Sequence, residues 1–162
     1  MKLNLGCSDR HIEGYVSVDI LPHPGPLGRG ETAIYQSVDL NQWNWPWLDS
    51  SVDEILALDI FEHLTDRIHS INEAWRVLRD GGRLTLECPN AAKGSGQWQD
   101  PQHISAWCPN SLQYYEAGAP AREGFGEAYG IVARFRVLSV TERSYTERGE
   151  VWKFRAVLEA VK

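Results

Sequence analysis

The sequence has few of the residues that mark a disulfide-bonded, zinc-binding or pyrophosphate-binding protein. Its 162 residues include three cysteines, Cys7, Cys88 and Cys108, and no CxxC pair. This odd and scattered set predicts reduced thiols in a cytoplasmic protein. GxGxxG, the glycine pattern that lets a backbone approach a pyrophosphate, is also absent. A dinucleotide site of the usual kind is therefore disfavoured.

Long apolar runs and an excess of basic residues are missing as well. The longest apolar runs are far too short to cross a bilayer, and MKLNLGCSDR turns polar too early for a signal peptide. The net charge of -6 gives no basic footprint for nucleic acid. We therefore expect no membrane contact and no nucleic-acid partner. The length and the hydrophobic fraction of 43% predict one soluble domain over residues 1–162.

Short β-rich runs alternate with connections along the chain. The predicted strands cover residues 2–5, 15–20, 32–40, 52–58, 82–88, 132–141 and 151–161. This alternation predicts an α/β fold with a Rossmann-like, doubly wound and mostly parallel sheet. The last two strands are close enough in sequence to form a hairpin around residues 147–150. One antiparallel strand is therefore expected at or near an edge of the sheet.

The connections contain one clear helix. Its apolar stripe consists of Ile68, Ile71, Trp75 and Leu78. Thr65 or Asp66 can cap its start, and Gly81 can end it in the left-handed conformation. The other connections are short or irregular: residues 21–30 read as loop, 41–51 are too short for a full helix, 109–116 form at most a short helix, and 117–130 are expected to be mobile.

Three tryptophans, Trp43, Trp45 and Trp47, alternate within a connection that lacks a full helix. In an extended segment they would share one face. Because large aromatic side chains bury much area, they are predicted to cover a sheet face that a crossover helix would otherwise cover. Incomplete cover would leave an apolar patch, so a homodimer through that face is also predicted.

The first two predicted strands carry the clearest functional signal. Only thirteen positions separate Gly6 from Asp19, against about twenty in a dinucleotide site. This leaves no room for the helix whose N-terminus would favour a phosphate. A ligand with a ribose and no phosphate remains compatible. Asp19 could accept hydrogen bonds from its hydroxyls, Asp39 could read a base amino group, and Gly6 would let the ligand approach the backbone.

These stretches resemble a known family. NLGCSDRHIEGYVSVDI, then DL at 39–40, WPWLDSSVDEILALDIFEHL and EAWRVLRDGGRLTLECPN are similar to the compact class I S-adenosylmethionine-dependent methyltransferases. The resemblance covers residues 2–90, with a weaker DPQH at 100–103. It implies a seven-stranded sheet whose last strand is antiparallel, shortened crossover helices, and S-adenosylmethionine (SAM) as the cofactor.

The resemblance also implies which residues bind the cofactor. Gly6 and Cys7 would contact the methionine part, and Asp19 would bind the ribose. Ile20, Asp39 and Leu40 would contact the adenine, and Asp59 and Ile60 would face the sulfonium and amino-acid portion. Two positions depart from the family's first motif. Asn4 replaces an acid, and Ser8 replaces a glycine. We interpret the shortened first crossover as a subtype of the family.

The acceptor side is predicted after the fourth and fifth strands, where α/β sheets place their ligands. His63 follows the fourth strand, and His103 lies in DPQH; either could take a proton from an acceptor as the catalytic base. The predicted substrate-binding residues are Asp100, Trp107 and Tyr115, within a substrate or lid insertion over residues 89–130. Each histidine also has an ordinary structural interpretation, as a helix-start or loop residue.

No metal is predicted. A set built from His63, Asp100, His103 and Cys108 lacks zinc-like spacing. The sequence therefore predicts a cytoplasmic methyltransferase that moves a methyl group from SAM to an oxygen or nitrogen of a small polar acceptor. The alternatives are a catalytically inert binding or scaffold domain of the same fold, and a nucleotide-dependent oxidoreductase, which the missing phosphate helix disfavours.

Overall fold

The computed structural model describes residues 1–21, 34–147 and 150–162 and shows a seven-stranded α/β fold. The strands are β1 Lys2–Leu5, β2 Val16–Asp19, β3 Tyr35–Ser37, β4 Val52–Leu58, β5 Leu78–Gly94, β6 Phe135–Ser144 and β7 Val151–Ala160. The helices are α1 Arg67–Val77 and α2 Pro120–Phe125, with 3-10 turns at Phe61–His63 and Pro109–Tyr114.

The strand order is β3-β2-β1-β4-β5-β7-β6. Neighbours from β3 to β5 run parallel, and β7 is antiparallel to both β5 and β6. The predicted sheet is confirmed: it is mostly parallel, and its last strand is the antiparallel one, beside the edge strand β6. The order reverses between β1 and β4, so a ligand is expected beyond the carboxyl ends of the central strands.

The strand bounds follow the apolar runs, with differences at the ends. β1 and β4 have the predicted bounds, whereas β5 begins earlier and continues past Pro89 to Gly94. β3 is shorter than predicted. Residues 32–33 of that prediction lie outside the described residues, as do most of the 21–30 loop and residues 148–149 of the predicted turn.

Helix α1 begins as expected but ends earlier. The Asp66 side chain accepts hydrogen bonds from the backbone N–H groups of Ile68 and His69, at 3.0 and 2.9 Å. The helix ends at Val77, because Leu78 is already extended and pairs with Val52 of β4. Gly81 does have a positive φ of 69°, but it lies within β5, so its predicted role as the helix end is wrong.

The core lies on one face of the sheet. Residues paired across strands share a face, and the buried side chains occupy two such rows. One row is Leu3, Ile55, Leu84 and Leu158, and the other is Leu5, Ala57, Leu86 and Ala156. Ile71, Ala74 and Val77 of α1 belong to the same hydrophobic cluster. The helix therefore covers this face.

The opposite face carries a row of alternating charge across five strands. The row is Lys2, Glu54, Arg83, Glu159 and Arg136. Lys2 pairs with Glu54 at 2.9 Å, and Arg136 pairs with Glu159 at 2.6 Å. Parallel sheets are usually buried on both faces. Here the shortened crossovers leave one face partly solvated, and neighbouring opposite charges occupy it.

The tryptophan segment was predicted to cover a sheet face with three rings, and two of the three do so. Trp45 and Trp47 are buried and pack edge to face. Trp43 is 75% exposed and stacks on His69, so the prediction that all three rings share a face is wrong. The segment is a series of turns rather than an extended strand, which breaks the two-residue alternation. The homodimer stays a prediction.

The predicted mobile loop over residues 117–130 contains α2. The buried Arg122 of this helix donates a hydrogen bond of 3.0 Å to the carbonyl oxygen of Ala133, tying the segment to the chain before β6. The segment thus contains a short helix that the sequence analysis did not predict, and its mobility stays a prediction. In the part of the chain that the structure describes, no helix is long and apolar enough to span a membrane.

Candidate functional site

Gly6 ends β1 in a conformation that other residues rarely adopt. Its φ is +61°, and a Cβ placed on it would lie 2.7 Å from the Cβ of Ile60. A side chain at this position would therefore be strained and would also clash. The sequence analysis explained the glycine at position 6 by the approach of a ligand to the backbone. The structure adds a second reason for a glycine there, which is the close packing of the chain after β1 against Ile60 after β4.

Asp19 joins the ends of β1 and β2. One of its carboxylate oxygens accepts the backbone N–H of Ser8 at 2.8 Å, and the other accepts that of Leu21 at 3.1 Å. Each oxygen retains a further lone pair. The carboxylate is thus held in place at the carboxyl edge, with accepting capacity left for two neighbouring hydroxyls.

The residues expected near an adenine lie beside this carboxylate. Ile20 is 60% exposed, so its apolar side chain is available to a ring. Asp39 is half-buried and accepts the backbone N–H of Asn41 at 2.9 Å. Leu40 is buried and accepts a hydrogen bond from the Trp45 indole through its carbonyl oxygen, so its side chain belongs to the core. Of this group, Ile20 and Asp39 offer surface to a ligand.

Asp59 begins the loop after β4 with a positive φ of 60°, which is unusual for a residue other than glycine. One carboxylate oxygen pairs with the Lys153 ammonium at 2.5 Å. The other is buried and has no hydrogen-bond partner among the described residues. It is therefore placed to accept from a bound cationic group.

Cys7 is a packing residue. It is 1% exposed, and burial together with the nearby Asp19 carboxylate raises the pKa of its thiol. The connection from residue 6 to residue 15 contains turns and no helix. The predicted absence of a helical phosphate cradle between β1 and β2 is thus confirmed.

His63 and His103 meet although forty positions separate them. Their ring centroids are 4.8 Å apart, with an edge-to-face angle of 73°. Glu62 completes the group: one ligand atom from each of Glu62, His63 and His103 lies within 4.8 Å of the others. The 3-10 turn Phe61–His63 after β4 supplies two of these residues, and the loop after β5 supplies the third.

Backbone hydrogen bonds hold the two segments together. The carbonyl oxygen of Glu62 accepts the N–H groups of Ile104 and Ser105, both at 2.9 Å. The Ser105 hydroxyl donates to the carbonyl oxygen of Leu64 at 2.6 Å. The position of His103 beside His63 is therefore fixed by the main chain around both residues.

Glu62 is an unusual acid. Its side chain is fully buried, and neither carboxylate oxygen has a hydrogen-bond partner among the described residues. Burial, with a smaller contribution from the Asp59 charge, raises the pKa of Glu62 to about 7. Strongly perturbed acids in a cluster of this kind are typical of functional sites.

The three predicted substrate residues are not brought together. Asp100 lies beside His103, with 3.7 Å between its carboxylate and the imidazole Nε2. Trp107 is fully buried and packs edge to face on Phe61. Tyr115 is 4% exposed and lines a separate cavity of about 190 Å³ with Tyr114 and other residues. Only Asp100 therefore shares the histidine site.

Sequence reasoning did not assign a site role to Glu62, Gln97 or Lys153. Glu62 precedes His63 in EHL, so the motif contained a signal. Lys153 reaches Asp59 from β7, and Gln97 accepts from His103 through its backbone. Neither of these residues lies in a motif, and the folded topology alone brings them to the site.

Comparisons with known proteins give relatives of the sequence and of the fold. Residues 10–86 match the family described as methyltransferase domain. A 41-residue stretch is 51% identical to the 27-O-demethylrifamycin SV methyltransferase of Amycolatopsis mediterranei, covering 25% of this chain and 15% of that protein. A 61-residue stretch is 38% identical to a probable S-adenosylmethionine-dependent methyltransferase of Mycolicibacterium smegmatis, covering 36% of this chain and 24% of that protein. Residues 10–86 of the chain are thus similar to a methyltransferase domain, and the local matches are to methyltransferases.

A solved structure supports the fold over the full length. The 1,6-didemethyltoxoflavin-N1-methyltransferase of Burkholderia thailandensis aligns with 99% of this chain and 71% of its own, at a TM-score of 0.65 and 12% identity. The curated relatives match over less than a quarter of their own length. The Mycolicibacterium relative is named as SAM-dependent, and the Burkholderia structure holds S-adenosylhomocysteine. The Asp19 and Asp59 carboxylates keep accepting capacity beyond their partners in this chain.

Proposed function

We propose that this chain transfers a methyl group from SAM to an oxygen or nitrogen of a small polar acceptor. The supporting observation is that two sets of residues share the carboxyl edge of the sheet. Asp19, Asp39 and Asp59 follow β2, β3 and β4, and the Glu62–His63–His103 group begins three residues after Asp59. When bound, SAM supplies an electrophilic methyl group on a sulfonium sulfur.

The chain's own residues would orient the two reactants. Asp19 would hold the ribose hydroxyls, Asp39 the adenine edge against Ile20, and Asp59 the cofactor ammonium beside Gly6. Alignment of donor and acceptor is the main source of rate in such a transfer. The edge-to-face histidines would then define where the acceptor lies.

His63 and His103 are proposed to contact the acceptor, with His63 nearer the transferred methyl group. The Nδ1 of His103 lies 3.1 Å from the carbonyl oxygen of Gln97, which can only accept, so Nδ1–H donates to it. In the neutral imidazole this tautomer leaves Nε2 as the acceptor. Nε2 can thus accept the proton of an acceptor hydroxyl. Asp100, whose carboxylate lies 3.7 Å from this nitrogen, would bind a polar group of the same acceptor.

The names of two similar proteins support the proposal of a small acceptor, and they differ in the reacting atom. The Amycolatopsis protein is named for an O-demethylated rifamycin, and the Burkholderia structure holds 1,6-didemethyltoxoflavin with S-adenosylhomocysteine. Both are small molecules. We therefore propose a small-molecule acceptor, with both oxygen and nitrogen compatible with the site.

A labelling experiment tests the proposal. The full chain is incubated with methyl-labelled SAM and fractions of small molecules from a cell extract, and labelled products are separated. Transfer to one fraction, lost in His103→Ala and kept in His69→Ala, is the expected result. SAM binding without transfer to any fraction would instead indicate a binding or scaffold domain.

A further inference from the structure

The Glu62–His63–His103 group has the composition of a metal site. One ligand atom from each side chain lies within 4.8 Å of the other two. Ligands about 2.1 Å from a tetrahedral ion are about 3.4 Å from each other. Side-chain rotations that close the largest separation by about 1.4 Å would therefore bring all three onto one ion. Glu62 and His63 are neighbours on the same 3-10 turn. Apart from side-chain rotations, only the loop that carries His103 would have to move.

The surroundings of Glu62 favour an ion at this group more strongly than any other observation. Glu62 is fully buried, neither of its carboxylate oxygens has a hydrogen-bond partner of ordinary geometry among the described residues, and the Cys88 thiol lies near it. An ionised carboxylate in such a place is costly unless it is paired or coordinates a metal, and otherwise it takes up a proton. Lys153 pairs with Asp59 at 2.5 Å and also lies 3.9 Å from Glu87. This lysine is therefore engaged with other acids, and the carboxylate of Glu62 lacks a direct cationic partner in the described chain.

His103 is oriented in the way that metal-binding histidines usually are. Its Nδ1 lies 3.1 Å from the carbonyl oxygen of Gln97, and a backbone carbonyl at this position fixes the tautomer and frees Nε2. Nε2 is 3.7 Å from the Asp100 carboxylate, which is too far for a hydrogen bond. The lone pair of Nε2 is thus available to an ion.

We propose that Glu62, His63 and His103 bind one divalent transition-metal ion, with Zn²⁺ as the first candidate. Two imidazole nitrogens and one carboxylate oxygen are the protein ligands of an open zinc site, which keeps a coordination position for an exogenous group. That position would hold the oxygen or nitrogen of the methyl acceptor, and this part of the inference rests on the proposed function. With the ion bound, Nε2 of His103 coordinates it instead of accepting the acceptor proton, and the ion would lower the pKa of the acceptor group in place of a base. The sequence spacing disfavoured a metal because the third ligand arrives through the fold.

Metal titration of the full chain tests the inference. The protein is dialysed against a chelator and titrated with Zn²⁺ by calorimetry and with Co²⁺ by visible absorption. One ion per chain is expected, with d–d bands of low coordination number and without the thiolate charge-transfer band that the cysteines would give. Glu62→Gln, His63→Ala and His103→Ala should each weaken binding by at least about tenfold.

His69→Ala is the matched control, since His69 stacks on Trp43 outside the group. Its ion affinity should equal that of the wild type. Melting temperature gives a second measurement: Zn²⁺ should raise that of the wild type and of His69→Ala, and raise that of Glu62→Gln by less at the same Zn²⁺ concentration. Absence of ion binding, or equal affinity in His63→Ala and wild type, would overturn the inference.

The metal result is separable from the methyltransferase result. SAM affinity is measured on the same chelated sample. SAM binding with no bound ion would overturn the metal site and leave the proposed function standing. Ion binding that is lost in the three ligand variants, in a chain that does not bind SAM, would support the metal site and contradict the proposed function.

Discussion

Asp19 is the residue whose charge most directly tests the ribose site. Both of its oxygens already accept backbone N–H groups, so Asp19→Asn keeps the shape and one acceptor while removing the charge. Hydrogen bonds to a charged group contribute about 1.5–3 kcal/mol each. We expect SAM to bind at least about tenfold more weakly to this variant by calorimetry.

The control for this variant is Asp9→Asn, a change to an exposed acid in the same loop. It should leave SAM affinity unchanged. If Asp19→Asn also binds SAM as the wild type does, then Asp19 only holds the loop after β1 and takes no part in cofactor recognition.

His103 tests the acceptor side in the same way. If its Nε2 meets the acceptor, His103→Ala should lower turnover by about 10²–10⁴-fold, the usual contribution of a positioned base. SAM affinity should stay nearly constant, because the residue lies on the acceptor side. Single-turnover kinetics with the identified acceptor would measure the effect. Unchanged methyl transfer would remove His103 from the mechanism.

The half-buried Arg76 guanidinium fastens helix α1 to the tryptophan segment through ion pairs and hydrogen bonds. The Arg76 guanidinium binds Glu73 at 2.7 Å and Asp49 at 2.6 Å. It also donates to the carbonyl oxygens of Trp45 and Trp47, at 3.1 and 3.0 Å. This clamp takes the place of a crossover helix between β3 and β4, since it fixes two buried indoles against α1.

Loss of the clamp should destabilise the fold. Removing one partner of a fully buried pair costs about 3–5 kcal/mol, and this pair belongs at the lower end of that range because the Arg76 guanidinium is only half-buried. Arg76→Ala leaves Glu73, which is 7% exposed, without its cation. We therefore expect a loss of about 3 kcal/mol in the free energy of unfolding by urea. Arg79→Ala is the control, since Arg79 is exposed and pairs with Asp53 rather than with the clamp. A loss no larger in Arg76→Ala than in this control would show that the clamp is dispensable.

The same pair predicts a pH dependence. Burial alone would raise the pKa of Glu73, but hydrogen bonds from Arg76 and from the Trp45 backbone lower it below its ordinary value of 4.5. Below about pH 5 the unfolded chain takes up a proton at this residue before the folded chain does. The stabilising contribution is thus full above the unfolded pKa and is lost as the pH falls through the folded pKa. The free energy of unfolding by urea, measured at several pH values below about 5, should change less with pH in Glu73→Gln than in the wild type.

The elements that could be predicted from sequence are those set by local patterning. The run of apolar residues in β4 and the cap at Asp66 appear as expected, because alternation and capping act over a few residues. The early end of α1 could not be predicted. It depends on the pairing of Leu78 with Val52, twenty-six positions away in the chain. Tertiary pairing overrides the local signal of Gly81.

In the site, too, single residues could be predicted from local sequence, whereas the contacts between them could not. Asp19 was found from its place after a strand, and His63 and His103 from their motifs. That the two histidines touch, and that Glu62 lies unpaired beside them, depends on hydrogen bonds between the turn after β4 and the loop at Ile104–Ser105. No periodicity or spacing in the sequence encodes that contact.

The molecule as a whole is a sheet covered well on one face. The other face carries the row of alternating charge from Lys2 to Arg136. A dimer that buries apolar surface would therefore use exposed side chains such as Trp43 and Leu48, which are 75% and 79% exposed. We predict a homodimer by light scattering at high concentration, shifted toward monomer by Trp43→Ser. A monomer at every concentration would contradict this prediction.

The central claim is that the ends of β1 and β2 select a ribose ligand that lacks a phosphate. Calorimetry of the full chain with SAM, S-adenosylhomocysteine, NAD and ATP tests it most directly. The carboxylates of Asp19, Asp39 and Asp59 and the missing helix between β1 and β2 predict binding of the first two ligands and none of the last two. Tighter binding of NAD than of SAM would contradict the claim and favour a nucleotide-dependent oxidoreductase.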